Sequence, residues 1–465
     1  MSADSVLLPV TKVRSEGPGE MLVGRSEVMP VDSFEVAAAL EASGVNDKVA
    51  RERYGHVDVF ALARQRFEWL SAARAAAVEA IAPEPVDISG TLLRGMVFVL
   101  PALLTGAVLG RQPERALVWA VLVSVAVGWA SGQGIAYVGY RVMGAGSPAG
   151  ARWQMMIMAL VTIVPSAVVG AAAGVLGLVG WSAILLGVGQ IAFVLSSSIA
   201  LVLNRPAVIG FALIPGLAVS IPALIRPELV PRWLVLVAIC TSLAVTLGWV
   251  AHLLRGAKPP SARLARAALR GAMPYVGYGT FLAMLLSFAL VDSLVAPTHL
   301  AISVTMAPLM CGVLVAEFQL ARYRRRAEIA LRTTETRRGA ARALRRAVLG
   351  CMTGYVFGLA ALTVIAAITL VPVLDEVAVV RFAGAGALGW AFLAALLLVA
   401  YQQLRPVLSV TAVALAALAV RGWVRVPAEN KAAELAIEYF VVCTALAVVL
   451  TVVALRLLVK PELHR

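Results

Sequence analysis

The chain has 465 residues, of which 61% are hydrophobic and only 14% charged, with a mean hydropathy of +0.89 and a formal net charge of +14. A water-soluble core cannot hide that much apolar surface, so composition excludes a soluble globular domain and points to a polytopic membrane protein. Apolar runs of about 20 residues suit a hydrocarbon core about 30 Å thick, and without strand-like alternation the expected fold is all-helical.

Charge is unevenly divided. The first ninety residues hold nine Lys/Arg and fourteen Asp/Glu, against thirty-one and twelve in the remainder. Residues 1 to 30 lack any apolar period and read as a tail. "SVLLPV" is too short for the apolar region of a secretory signal, which places the amino terminus in the cytoplasm. Asp32 or Ser33 then caps a short helix that Gly44 ends, and a second helix opens at Asp58 and stops at Pro83. Residues 1–90 are thus a cytoplasmic appendage. A helix along the membrane surface, or a dock for glycosyltransferase or synthase subunits through residues 32–82, are its two readings.

Twelve spans follow, at roughly 93–110, 115–139, 154–177, 180–203, 206–225, 232–254, 272–295, 298–320, 348–371, 381–404, 406–423 and 434–458. With the amino terminus inside, the arginine-rich segments Arg255–Arg270 and Arg322–Arg346 fall in the cytoplasm, in keeping with the positive-inside rule. Arginine outnumbers lysine about seven to one in an Ala/Val/Gly/Leu background, which suggests a bacterial plasma membrane.

Three short strings recur in order. "LLRGMVF" matches "ALRGAMPY", pairing Arg94 with Arg270; "SPAGARWQMMIMA" echoes "TRRGAARALRRAV", pairing Arg152 with Arg342; "LNRPAVI" matches "QLRPVLS", pairing Arg205-Pro206 with Arg405-Pro406. All six sites face the cytoplasm in the span order above. The expected architecture is two parallel six-helix lobes, 91–256 and 257–465, with a substrate path between them.

The end of the second span reads "SGQGIAYVGYRVMGAGSPAGARW". Gln133, then Gly144-Ala145-Gly146-Ser147, then Ala151-Arg152 resemble the pattern of the multidrug/oligosaccharidyl-lipid/polysaccharide exporter superfamily. Ser147 stands where that pattern usually has an acidic residue, and the gap after Gln133 is longer. Glu317 and Phe318 ahead of Tyr323 and Arg324–Arg326 are similar to the polysaccharide branch, especially the Pel-type exopolysaccharide membrane component. The resemblance implies an exporter or flippase of a polysaccharide or lipid-linked oligosaccharide that works by alternating access. A multidrug or small-solute antiporter of the same fold, and a non-transporting scaffold of a synthase or secretion complex, are the alternatives.

Enzymatic patterns are missing: there is no H-E-x-x-H, G-x-S-x-G or Walker loop, and Gly384–Gly389 fits G-x-G-x-x-G only within an apolar run. Neither an enzyme, a metal, a cofactor nor a nucleic-acid partner is expected. Cys240, Cys311, Cys351 and Cys443 lie in apolar runs without pairing spacing. A cation antiporter needs a titrating carboxylate in its cavity, yet the first lobe has only Glu114 and Glu228, both in loops. Glu317, Asp292 and Arg322 are the candidates for coupling or gating, with Glu317 expected to pair with Arg322 or its neighbours. Guanidinium groups suit phosphate, so Arg94, Arg270, Arg205, Arg405, Arg141 and Arg152 are candidates for a sugar-phosphate; the other reading of these arginines and of the Arg322–Arg346 cluster is that they set topology and touch membrane lipids with acidic headgroups. Gln133, Tyr137, Gln190, Ser196, Ser197, Tyr278, Tyr401 and Gln402 are candidate polar residues for a sugar path, and Pro165, Pro215 and Pro222 are expected bends.

Overall fold

Asp32 accepts a hydrogen bond from Glu35 N at 2.9 Å and so starts the first helix of the computed structural model, α1 (Ser33–Ala42). The structure describes residues 30, 32–80, 90–91, 93–96, 100, 104, 115–226, 228–295, 299–334, 336–370, 376–423 and 431–460. Gly44 ends α1 at φ +88°. The sequence reading passed over α2 (Asp47–Tyr54), although Asn46 caps it through a 3.0 Å bond from Val49 N and Gly55 stops it at φ +71°. Asp58 caps α3 (Val59–Ala80) by accepting from Ala61 N. Val36, Leu40, Ala50, Val59 and Leu62 form the core these three helices share. By compactness this unit comprises residues 1–83, 331–341 and 464–465; the second unit comprises 84–330 and 342–463. The expected stop at Pro83 lies outside the described residues.

Among the described residues, helical positions within 90–104 precede eleven helices, which belong to the second unit except for residues 331–341 at the end of α10 and the start of α11: α4 (Arg115–Gly144), α5 (Pro148–Val175), α6 (Trp181–Val202), α7 (Pro206–Ile225), α8 (Arg232–Leu253), α9 (Ala262–Val295), α10 (His299–Thr333), α11 (Arg337–Leu370), α12 (Glu376–Ala400), α13 (Leu404–Trp423) and α14 (Lys431–Leu457). Eight of the described helices, α4 to α9, α12 and α14, are long and apolar enough to cross a membrane, and α13 carries a shorter apolar stretch. Most of the first expected span lies outside the described residues. Trp119, Trp181 and Trp233 are exposed near the starts of α4, α6 and α8, as befits rings at a membrane interface. Arg141, Arg205 and Arg255 stand at or just beyond the other ends of the same helices.

Helices α4 to α8 pack among themselves, α4 against α5 and α6, and α8 against α6 and α7. Helix α12 packs on α14, and α13 on α12 and α14. Helix α9 touches α12, α13 and α14 and also lies along α4, so it joins the two sets. Between apolar helices in lipid, close packing replaces the hydrophobic effect as the source of association, and small residues carry it. On α11, Gly350, Gly354 and Gly358 form a four-residue stripe against α10. A Cβ on Gly354 would lie 2.7 Å from Gln319 Nε2, and one on Gly358 2.9 Å from Val315 Cγ1. That G-x-x-x-G-x-x-x-G pattern is plain in the sequence and went unread.

Helix ends are built by recurring turns. Pro148 and Pro206 open α5 and α7 at the first helical position, where a missing N–H costs nothing. Pro215 lies inside α7, and the neighbouring Gly216 N–H donates to Ser242 Oγ of α8 at 2.8 Å. The chain between α8 and α9 is pinned on the start of α5. Lys258 N donates to Ala149 O at 3.2 Å, and Arg152 Nη1 donates to Arg255 O at 3.4 Å. Pro260 occupies the space a side chain on Gly150 would need, its Cβ 2.7 Å from that position. The "AGAR" string thus builds a seat for this linker.

Candidate functional site

Two seams bring the first-half helices against the second-half ones. Along α4 and α9 the backbones nearly touch: a Cβ on Gly279 would lie 2.7 Å from Trp129 O and 2.9 Å from Ala130 Cα. Nearer the arginine end, Gly134 faces Val276, and the Tyr137 and Tyr275 rings stack at 4.4 Å. Tyr137 also fills the space beside Gly271, its Cε1 2.8 Å from where a Cβ would be. Trp129 tilts against Phe392 of α12 at 5.8 Å, and Gln133 sits on the same α4 stripe, one turn from both Trp129 and Tyr137.

The second seam lies between the helical residues 93–96 and α10. A Cβ on Gly95 would fall 2.6 Å from Leu314 Cδ2 and 3.2 Å from its Cα. Both Arg-Gly dipeptides singled out in the sequence, Arg94-Gly95 and Arg270-Gly271, therefore put their glycine against a helix of the other half. One turn past Leu314, the Glu317 carboxylate stands within electrostatic reach of Arg94 and Arg324. Arg94 Nη2 also donates to Asn204 Oδ1 at 3.4 Å. Of the partners expected for Glu317, Arg322 or its neighbours, Arg324 is the one within reach, while Arg322 itself lies over the Phe318 ring at 5.5 Å. The Arg94 contact joins residues more than two hundred positions apart, which local spacing does not reveal.

The two Arg-Pro junctions share a turn, in a shifted register. Asn204 (φ +55°) and Gln402 (φ +60°) are left-handed, and each is followed by an N–H that bonds five residues back: Arg205 N to Ala200 O at 2.8 Å, Gln403 N to Leu398 O at 2.9 Å. By this turn Asn204 matches Gln402, so Arg205 matches Gln403. Arg405 lies two residues further on, inside the first turn of α13. Tyr401, just before the second turn, meets Tyr323 of α10 edge-on at 6.1 Å and feels the Arg324 charge.

A cleft opens within the first half, about 680 Å³ when the open solvent above it is counted. Leu104, Gln190 and Phe193 (the last two in α6), Leu213 of α7, and Cys240 and Ser242 of α8 are among the residues that line it. Gln190 is the one sequence-selected residue there. None of its described lining residues is ionisable except Cys240. Among the other expected residues, Arg94, Arg141, Arg205, Arg270, Arg405 and Gln402 are exposed, Arg152 holds the linker, and Tyr278 is buried within α9 packing. Asp292 is helical, in α9, and its side chain lies outside the described residues. Asn204 and Tyr275 were missed, although Asn204 stands inside the repeated Arg-Pro string itself.

No family model and no curated protein matches the sequence. The fold does match solved structures. A crystal structure of MATE in the bent conformation aligns with TM-score 0.51 at 11% identity, covering 86% of this chain and 99% of that one. The outward-facing conformation of a multidrug resistance MATE family transporter of the MOP superfamily aligns with TM-score 0.51 at 12% identity, covering 80% and 94%. The chain is a multi-pass membrane protein with the MATE-like fold.

Proposed function

We propose that the chain is a transporter that moves its substrate by alternating access between two six-helix halves, 91–256 and 257–465, through opening and closing of the two seams. The observation that carries this reading is the duplicated Arg-Gly contact, in which Gly95 meets Leu314 and Gly271 meets Tyr137. Two equivalent close approaches at one end of the bundle are what a closed gate requires, and the MATE-like fold supports the same motion.

The arginine end faces the cytoplasm of a bacterium in this reading, and the substrate is a polysaccharide or lipid-linked oligosaccharide. Arg94, Arg205, Arg270 and Arg405 are exposed at that end and supply forks for a phosphate. Tyr137, Tyr275 and Gln133 offer sugar-facing rings and an amide beside the seam. The test is flipping of a fluorescent lipid-linked oligosaccharide in proteoliposomes, read by quenching of the exposed leaflet. The double substitution Arg205→Gln/Arg405→Gln is expected to slow flipping at least tenfold; an unchanged rate removes the phosphate role.

A second reading follows from the likeness to a multidrug resistance transporter: antiport of cationic drugs. It predicts efflux of ethidium driven by a proton or sodium gradient. Gradient-driven ethidium efflux without oligosaccharide flipping would replace the first reading.

A further inference from the structure

Helix α11 carries one uninterrupted exposed stripe from its first turns to its middle. Leu349, Thr353, Val356, Ala360 and Val364 are exposed at three- and four-residue steps, with Phe357 exposed beside them. The opposite face is spent on α10: Tyr355 and Cys351 are buried, and Gly350, Gly354 and Gly358 receive Arg326, Gln319 and Val315. Residues 348–371 of this helix are an expected span, and an apolar stripe left open on a helix that crosses a membrane is its lipid-facing side.

Arg342, Arg345 and Arg346 continue that same stripe outward, all three exposed. At 1.5 Å per residue, Arg346 sits about 4 Å and Arg342 about 10 Å beyond Leu349 along the axis. The headgroup layer on each side of a bilayer is about 6 Å deep, so with Leu349 at the apolar edge Arg345 and Arg346 stand within it, and the long Arg342 side chain reaches back to it. Their line with the lipid-facing stripe directs them over the leaflet, away from the seams between the halves. Arg338 lies on the same stripe about 16 Å beyond Leu349, past the headgroups and about two Debye lengths from the apolar edge.

We infer that Arg342, Arg345 and Arg346 form a binding surface for the phosphate of anionic phospholipids, seated on the outer face of α11. Clusters of arginine just beyond a membrane helix draw acidic lipid, and guanidinium forks pair with phosphate oxygens bidentately. The surface is separate from the proposed transport path and stands whether or not that proposal survives.

The experiment uses the full chain purified in detergent. Phosphatidylglycerol, phosphatidylcholine or inorganic phosphate is titrated in, with retained lipid read by native mass spectrometry and Tm by thermal scanning. Phosphatidylglycerol is expected to bind and raise Tm, while phosphatidylcholine and inorganic phosphate do neither. The triple substitution Arg342→Gln/Arg345→Gln/Arg346→Gln is expected to weaken phosphatidylglycerol binding roughly 100-fold, at about fivefold per arginine. Arg338→Gln should leave it within about twofold, being beyond the reach of the headgroups. The triple Lys variant keeps the charge and should retain most of the affinity, which separates loss of contact from misfolding. Wild-type affinity in the triple Gln variant, an equal loss in Arg338→Gln, or an equal response to inorganic phosphate would each overturn the assignment.

Discussion

Gln402 and Asn204 are the non-glycine residues in the left-handed region among the described positions. Asparagine tolerates that conformation through its short polar side chain, whereas glutamine carries a cost of about 1 kcal/mol or more. Gln402→Gly is therefore expected to stabilise the protein by about 1 kcal/mol, seen as a higher Tm. If the exposed amide serves the glycan path, the same variant should flip lipid-linked oligosaccharide more slowly; stability gained with transport unchanged would leave Gln402 a turn residue alone. Residue-scale features were legible where chemistry is local. Asp32, Gly44 and Asp58 end or start helices as their types demand. The left-handed turns at Asn204 and Gln402 were hidden because no glycine marks them, and the Arg94–Glu317 approach because it joins distant segments.

Hydropathy located the membrane helices but misjudged where they end. Helix α9 begins at Ala262 rather than near residue 272, α10 runs on to Thr333, and α11 starts at Arg337. Arginine and alanine are good helix formers, so a helix has no reason to stop where the hydrocarbon does. The opposite error concerns α2, which is short and polar and gives no hydropathy signal. The α10–α11 pair rests on the glycine stripe, and its energetics are testable. Gly354→Leu puts four carbons where Gln319 already lies, 2.7 Å from the first of them. Overpacking of that kind costs about 1–3 kcal/mol. A lower Tm and easier proteolysis between α10 and α11 are expected; an unchanged Tm would show the stripe to be loosely packed.

At the scale of the molecule, the all-helical fold was readable from composition and apolar run length alone, since the membrane admits few alternatives. The pairing of α4 with α9 was not, because the glycines that permit it are scattered among many others in an apolar sequence. That seam predicts self-assembly. Residues 1–256 and 257–465 expressed as separate chains should co-purify through α4 and α9, with Gly279 against Trp129 and Tyr137 against Tyr275. Failure of the two fragments to co-elute would show that the linker, not the seam, keeps the halves together.

The strap from α8 to α9 sets a mechanical limit on whatever the halves do. From Leu253 to Ala262 is nine residues, which fully stretched reach about 30 Å. Much of that slack is taken up where Lys258 and Pro260 lie on Ala149 and Gly150. A leash anchored at the arginine end makes that end a pivot, with short travel there and wider excursions at the tryptophan end. Lengthening the leash, without touching any residue of the bundle, would widen the first without altering the second.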